Sequence, residues 1–227
     1  MFVELSYKVE EEMPVYPGLP KDKFQPHTRM ARGDPSNTTL VSHFLHNGTH
    51  VDAPFHFYDE GQTIDEIPIE NFVYERPYLL QKELKKSELI QEEDLTSCGD
   101  EIRIADILFL YTGYGAFRNN LDIYTDDFPA VSEEAARYIR TELLSLKAVA
   151  IDTLSIESAT MAPRTDFRVH KTFLDGSMFD TRTLIIYEDV NIQRIVNEKK
   201  IKRIYAFPIR LKGLDGSPVN IVAETNE

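Results

Sequence analysis

HNGTHVDAPFHF, residues 46–57, gathers three of the chain's six histidines, an aspartate and a proline into one short run. Imidazole nitrogen and carboxylate oxygen are ligands for zinc, manganese and related divalent ions. On a helix His46 and His50 would share a face, but Gly48 and Pro54 interrupt any helix here. The segment reads instead as a tight loop leaving a strand. Gly48 opens a backbone geometry closed to other residues, and Pro54 stiffens the exit. A stiffened loop can hold several ligands in fixed directions. His46, His50 and Asp52 are therefore the candidate metal ligands. His56, beyond the proline, is either a further ligand or a proton shuttle beside a metal-activated water. Three protein ligands leave an open position, the arrangement of a catalytic rather than a structural site. His27, in a polar stretch, and His43, in strand rhythm, read as ordinary hydrogen-bonding residues.

Upstream, TTLVSHF (residues 38–44) is a β-branched, apolar strand leading into the histidine run. VELSYKV (residues 3–9) alternates like a half-buried strand and is followed by the turn-rich PVYPGLP. Residues 21–37 are polar and aperiodic and read as a long surface loop. Downstream, PYLLQK (77–82), ADILFLYTG (105–113), AVAID (148–152), LIIYE (184–188) and RIYAFPIRL (203–211) read as strands. Pro208 in the last of these predicts an edge position or a bulge. KELKKSELIQEED (82–94) reads as a solvated helix and loop. The clearest helix is SEEAARYIRTELLSLK (132–147). Ser132 is its N-cap, Glu133 and Glu134 complement the helix dipole, and Ala135, Ile139 and Leu143 form its apolar face. Interspersed strands and helices predict an α/β fold with a curved or barrel-like mixed sheet, and nothing marks a second domain within residues 1–227.

The net charge is −13. That balance repels phosphate backbones and anionic bilayers, so neither nucleic acid nor a membrane is an expected partner. The single cysteine, Cys98, has neither a disulfide partner nor the paired spacing of a zinc-thiolate site. The opening MFVELSYKVEEEMPVY has no basic region followed by an apolar stretch, so a cytoplasmic location is expected. A cysteine nucleophile has little support, and no GxSxG elbow is present. His170 and Glu188, taken alone, have simple readings as a helix-surface residue and a solvated strand end.

The pattern HxGTHxDxPxHF, fully matched from His46 to Phe57, resembles the cyclase family of metal-dependent hydrolases, which includes bacterial kynurenine formamidases (arylformamidases) and isatin hydrolases. ELSYKVEEEMPVYPG, LFLYTGYG, AIDTLSIES and LKGLDGSPVNIVA resemble further family segments, in the family's order along nearly the whole chain. The resemblance implies a swivelling β/β/α domain around a barrel-like sheet, with flanking helices. It implies that His46, His50 and Asp52 bind one zinc or manganese ion and that Asp52 bridges to a second. His170 would bind that second ion, Glu188 would bridge both, and His56 would be the general acid/base. It further implies a homo-oligomer, dimer or tetramer, acting on a small molecule. The expected reaction is hydrolysis of an amide, formamide or lactam by a metal-activated hydroxide. A cyclase, lyase or isatin-type hydrolase, or a non-catalytic metal-binding scaffold, are the alternatives. Two departures stand out. The interval between His170 and Glu188, containing DGSMFDTRT, is longer than in the formamidases and implies a loop insertion. Where the formamidases carry a substrate-contacting tryptophan before the N-terminal Pro-Gly, this chain has Tyr16, whose phenol ring can still stack.

Overall fold

The structure, a computed structural model, describes residues 1–198 and 200–226. Its strands are β1 (Phe2–Glu4), β2 (Lys23–Thr28), β3 (Thr38–Ser42), β4 (His50–Asp52), β5 (Val73–Tyr74), β6 (Pro77–Gln81) and β7 (Leu89–Ile90). They continue with β8 (Ile107–Tyr111), β9 (Ala130–Val131), β10 (Ala148–Ile151), β11 (Ile185–Glu188), β12 (Ile201–Pro208) and β13 (Gly216–Thr225). The α-helices are α1 (Glu92–Thr96), α2 (Leu121–Tyr124), α3 (Glu133–Glu142) and α4 (Arg168–Leu174).

Nine of these strands build one mixed sheet in the order β5-β12-β13-β4-β11-β10-β8-β6, with β1 paired to β13. The strands β6, β8, β10 and β11 run parallel, and the pairings of β4, β5, β12 and β13 are antiparallel. The first and last strands of this order, β5 and β6, are separated in the chain by only Glu75 and Arg76. A two-residue link cannot cross a flat sheet of this width, so the sheet curls until its edges nearly meet. Asp106 holds the seam by accepting hydrogen bonds from the backbone N–H of Glu75 (2.8 Å) and Arg76 (2.9 Å). The result is a nearly closed, curved mixed barrel flanked by helices, as the sequence pattern implied.

Strand alternation sorts the side chains into two cores. In β8, Ile107, Phe109 and Tyr111 point into the barrel, while Leu108 and Leu110 face the helices. Ala150 lies between Phe109 and Tyr187 in the register, so a small residue makes room for two large rings. The outer core packs Val149 and Ile186 with Ala135, Ile139 and Phe173 from α3 and α4. Full burial of each large aliphatic or aromatic side chain stabilises the fold by roughly 1.5–3 kcal/mol.

Helix α3 begins where expected, with Ser132 Oγ accepting from Ala135 N at 3.1 Å. It ends at Glu142, earlier than the sequence pattern suggests, because Leu143 leaves helical geometry at φ −99°, ψ 60°. That break turns Leu143 and Leu146 into the core and delivers the chain to β10. The stretch 21–37 is not all loop. It contains β2, which pairs with β3 as a two-stranded ribbon separate from the barrel. β3 lies within the strand expected at 38–44, whereas β2 is largely exposed on both faces and carries no alternation for sequence reasoning to detect. Of the region read as a solvated helix and loop, Leu89–Ile90 form β7 and the helix is the short α1, which begins only at Glu92. Pro208 terminates β12 rather than interrupting it. No described helix is long and apolar enough to cross a membrane.

Candidate active site

The core of the histidine run is strand β4, not a loop, and it lies inside the sheet between β13 and β11. Alternation then dictates the site. Val51 is buried in the barrel, while His50 and Asp52 project together from the opposite face. Glu188 ends β11 directly across from His50 in the register. Gly48 adopts φ +66°, a left-handed conformation that a side chain would strain. This turn sets the Gly48 carbonyl 2.8 Å from His50 Nδ1, which donates to it. The proton is thereby fixed on Nδ1, and Nε2 is free as a ligand atom. Pro54 opens a 3-10 turn that carries His56.

The far side of the site comes from α4, β11 and the start of β13. His170 stands on α4, with Nδ1 2.8 Å from Glu157 Oε2 and Nε2 3.3 Å from Glu188 Oε1. The long interval after α4 does not separate His170 from Glu188. The buried guanidinium of Arg140 clasps the carbonyl oxygens of Thr172, Phe173 and Thr181, holding this stretch against α3. Glu188 Oε1 also accepts from Ser155 Oγ at 3.0 Å and Ile156 N at 2.7 Å.

Asp215, just before β13, is a site residue that side-chain reasoning on the sequence did not single out. Its Oδ2 lies 2.8 Å from His46 Nε2 and 3.2 Å from His56 Nδ1. His46 also places Nδ1 2.7 Å from Asp52 Oδ1, and its ring stacks on His56 with centroids 3.9 Å apart. The next residue has to be glycine. A Cβ on Gly216 would sit 2.8 Å from the Val51 carbonyl and 2.9 Å from His46 Cε1. Glu157 was also missed. The only sequence signals were the Asp-Gly-Ser-Pro stretch around Asp215 and the AIDTLSIES segment ending beside Glu157.

Charge is dense here and the groups titrate abnormally. Burial disfavours the cations of His46, His50 and His170, but the adjoining carboxylates more than reverse it. His46 is raised, His50 is raised well above the usual imidazole value, and His170 is raised to about 10. Burial likewise disfavours the Asp52 carboxylate, yet the charges of His46 and His56 hold it well below the usual range. Glu188 is pushed up by burial and by Asp52, but the adjoining imidazoles of His170 and His50 bring it to about 2. Hydrogen bonds from His46 and His56 hold Asp215 far below an ordinary carboxyl.

These donors form groups in which each residue offers one atom within 4.8 Å of the others: His46, His50, Asp52; Asp52, His170, Glu188; and His46, His56, Asp215. His50 Nε2 and Asp52 Oδ2 are buried without a hydrogen-bond partner among the described residues. Buried polar atoms left unpaired are costly. Both belong to donor groups of the types that hold divalent ions, so the residues present fit a metal. Beside these groups opens a cavity of about 250 Å³. His46, Asp52, His56, His170 and Glu188 face it, with Tyr16, Phe44, Phe57 and Phe167 supplying aromatic walls. His50 is buried behind that floor. His27 is exposed, and His43 is tied to Asp22, outside the site.

The family model described as "Putative cyclase" matches residues 3–158. The chain belongs to this cyclase family. Its sequence is 22% identical to a kynurenine formamidase of Geobacillus thermodenitrificans, over 96% of this chain and 94% of that one. It is 34% identical to an uncharacterised protein of Haemophilus influenzae over 47% of this chain and 75% of that one. Among solved structures, isatin hydrolase A of Labrenzia aggregata superposes with a TM-score of 0.83 at 18% identity, covering 100% of this chain and 94% of that one. Isatin hydrolase A of Ralstonia solanacearum gives 0.80 at 18% identity, over 98% and 91%. At these identities the superpositions establish a shared fold. The matched residues 3–158 contain the whole of β4 but stop short of His170, Glu188 and Asp215.

Proposed function

We propose that this cyclase-family protein is a metal-dependent hydrolase that cleaves an amide-type C–N bond in a formamide or lactam. The observation that carries this reading is the pair of donor groups sharing Asp52, with His50 Nε2 and Asp52 Oδ2 buried and unpaired between them. His46, His50 and Asp52 would hold one divalent ion. Asp52, His170 and Glu188 would hold a second, with Glu188 also near His50 Nε2 at 3.4 Å. The mixed imidazole and carboxylate set suits zinc or manganese. The chemistry such ions supply when bound is Lewis acidity, toward a carbonyl oxygen and toward water.

The protein's own groups do the rest. The Gly48 carbonyl and the Glu157 carboxylate fix the rings of His50 and His170, the outer support that metal-binding histidines need. Asp215 holds His56 through Nδ1 at the cavity wall. An imidazole oriented by a carboxylate is suited to take a proton from the attacking water and return it to the departing nitrogen. The aromatic walls shield the reacting carbonyl from bulk water and suit a flat aryl substrate. Similarity to a kynurenine formamidase supports the formamide branch of this reading, and the isatin hydrolase fold supports the lactam branch. The Asp215–His56 pair disfavours a scaffold role, because a protein that only stores metal has no use for an oriented proton carrier. Exposed Met30, Leu40 and Val41 around the β2–β3 ribbon support assembly into the expected homo-oligomer, which light scattering tests.

The deciding experiment is metal analysis of purified protein, followed by turnover of aryl formamides and cyclic amides with and without chelator. Chelator-sensitive hydrolysis of either class is the expected result. Metal-replete protein inert toward both would sink the proposal.

A further inference from the structure

Glu188 ends β11, and the next residue turns the chain sharply. Asp189 adopts φ +50°, in the left-handed region, and is completely buried. Its backbone N–H donates to the Thr153 carbonyl at 2.8 Å, and its own carbonyl accepts from Thr49 Oγ1 at 2.6 Å. Thr49 precedes His50, and its hydroxyl also accepts from Tyr7 N at 2.9 Å. One turn thus ties the strand end bearing Glu188 to the residue before His50. The Asp189 side chain is gripped as firmly. Arg118 donates from Nε to Oδ1 at 2.9 Å and from Nη2 to Oδ2 at 2.7 Å, and Tyr124 Oη donates to Oδ1 at 2.7 Å. The Arg118 guanidinium, itself buried, lies 3.9 Å from the centroid of the Tyr7 ring.

Two costs coincide at residue 189. A left-handed backbone is strained for a residue with a Cβ, and glycine would adopt it freely. A buried ion pair surrenders the hydration of both charges, and apolar side chains of similar volume often fill such a place with equal or greater stability. Stability alone therefore does not call for this arrangement, whereas its place directly behind Glu188 and His50 does. We propose that Arg118 and Asp189 are positioning residues for the metal centre. The ion pair locks the left-handed turn, and the turn aims the Glu188 carboxylate and, through Thr49, seats β4 against it. His50 Nε2 lies 3.4 Å from Glu188 Oε2, and the two residues belong to different donor groups that share Asp52. The pair therefore sets the spacing of those groups while lining no part of the cavity. This rests on the reading of the donor groups as the metal centre of a hydrolase, and metal binding and turnover are measured separately.

The test replaces both partners at once in full-length protein, as Arg118→Met with Asp189→Asn. Neither charge is then stranded, and asparagine still accepts from Tyr124 and tolerates a left-handed backbone. Chelator-treated variant should melt close to wild type. Zinc affinity, from competition with a chelator, should fall by about 10–100-fold. The visible absorption of cobalt-loaded protein, which reports ligand geometry, should shift. On a hydrolysed formamide or cyclic amide, kcat should drop with KM little changed, because the cavity walls are untouched. A purely structural pair would move the melting temperature and leave zinc affinity and the cobalt spectrum alone, and that result overturns the proposal. Should the double variant fail to fold, Tyr124→Phe decides, since it removes the hydroxyl that holds Asp189 Oδ1 and the Asp152 carbonyl. Zinc binding about 3–10-fold weaker is then expected, and wild-type affinity overturns the proposal. Wild type that binds metal but turns over no C–N substrate removes the hydrolase reading and leaves the zinc comparison to judge the pair. Wild type that takes up no metal removes both.

Discussion

The two walls of the site are built on different principles. The near wall, His46 to His56, comes from one strand and the turns at its ends. The far wall takes Glu157, His170, Glu188 and Asp215 from four separate places in the chain. On the near wall, local rules set the geometry: alternation aligns His50 with Asp52, and a carbonyl two residues back fixes the His50 ring. On the far wall each group depends on tertiary neighbours: His170 on Glu157, Glu188 on the Ser155–Ile156 turn, and Asp215 on the seating of β13 against β4. Damage to the near wall should therefore remove ligands outright. Damage to the far wall's supports should loosen them.

The contrast can be broken in several ways, beginning with the largest effect. Asp52→Asn strikes the residue shared by two donor groups. It should lower kcat/KM by at least about 10³-fold and reduce bound metal, measured by elemental analysis. Near-normal metal content and activity would dissolve the distinction between the walls. His56→Ala joins the near wall to Asp215 and is expected to lower kcat by about 10²–10⁴-fold while metal content is retained. Loss of an ion in that variant would make His56 a ligand, as the group His46, His56, Asp215 also permits. Glu157→Gln touches only a far-wall support and should weaken metal binding or activity by about 10–100-fold, seen in a competition titration with a chelator.

Protonation sharpens the comparison further. In chelator-treated protein His170, at about 10 against an ordinary 6.5, adds stability that is fully present below 6.5 and lost as pH rises through about 10. Glu188, at about 2 against 4.5, adds stability present above 4.5 and lost as pH falls through about 2. Both contributions are intact between 4.5 and 6.5, where the melting temperature of metal-free protein should plateau. Metal competes with the imidazole protons, so the gain in melting temperature on loading should grow from about pH 6 to about pH 9. A gain independent of pH would argue that the far-wall histidine is no ligand. The smallest effect lies outside both walls: Ser132→Ala removes the α3 cap and should cost about 1 kcal/mol in denaturant unfolding with metal content unchanged.

Of the barrel, β1, β6, β8, β10, β11 and β12, with the start of α3, were legible in the sequence, because each buries one face or two and the apolar pattern records that burial. By contrast, β4 read as a loop, and β5 and β13 were not read as strands. In the exposed ribbon β3 was read from its β-branched residues, but β2 was not legible, since an exposed strand leaves no such record. The same logic divides the site. His46, His50, Asp52 and His56 stood out because they are neighbours in the chain. His170 and Glu188 gained roles only through resemblance to a family, and Asp215 and Glu157 escaped residue-level reading altogether. An isolated acid in a polar stretch looks the same whether it meets solvent or a histidine 169 residues away.

By itself, then, the sequence determined which residues gather at the near wall, through a glycine free to turn left-handed and a proline that starts the next turn. Pairing with β11 and β13 made the residues between them a strand with a two-residue period. Only the tertiary structure decided which distant groups face that wall. That choice depends on the curl of the sheet, which brings the ends of β11 and β13 to either side of β4. It depends equally on the packing of α4, which lays His170 over Glu188.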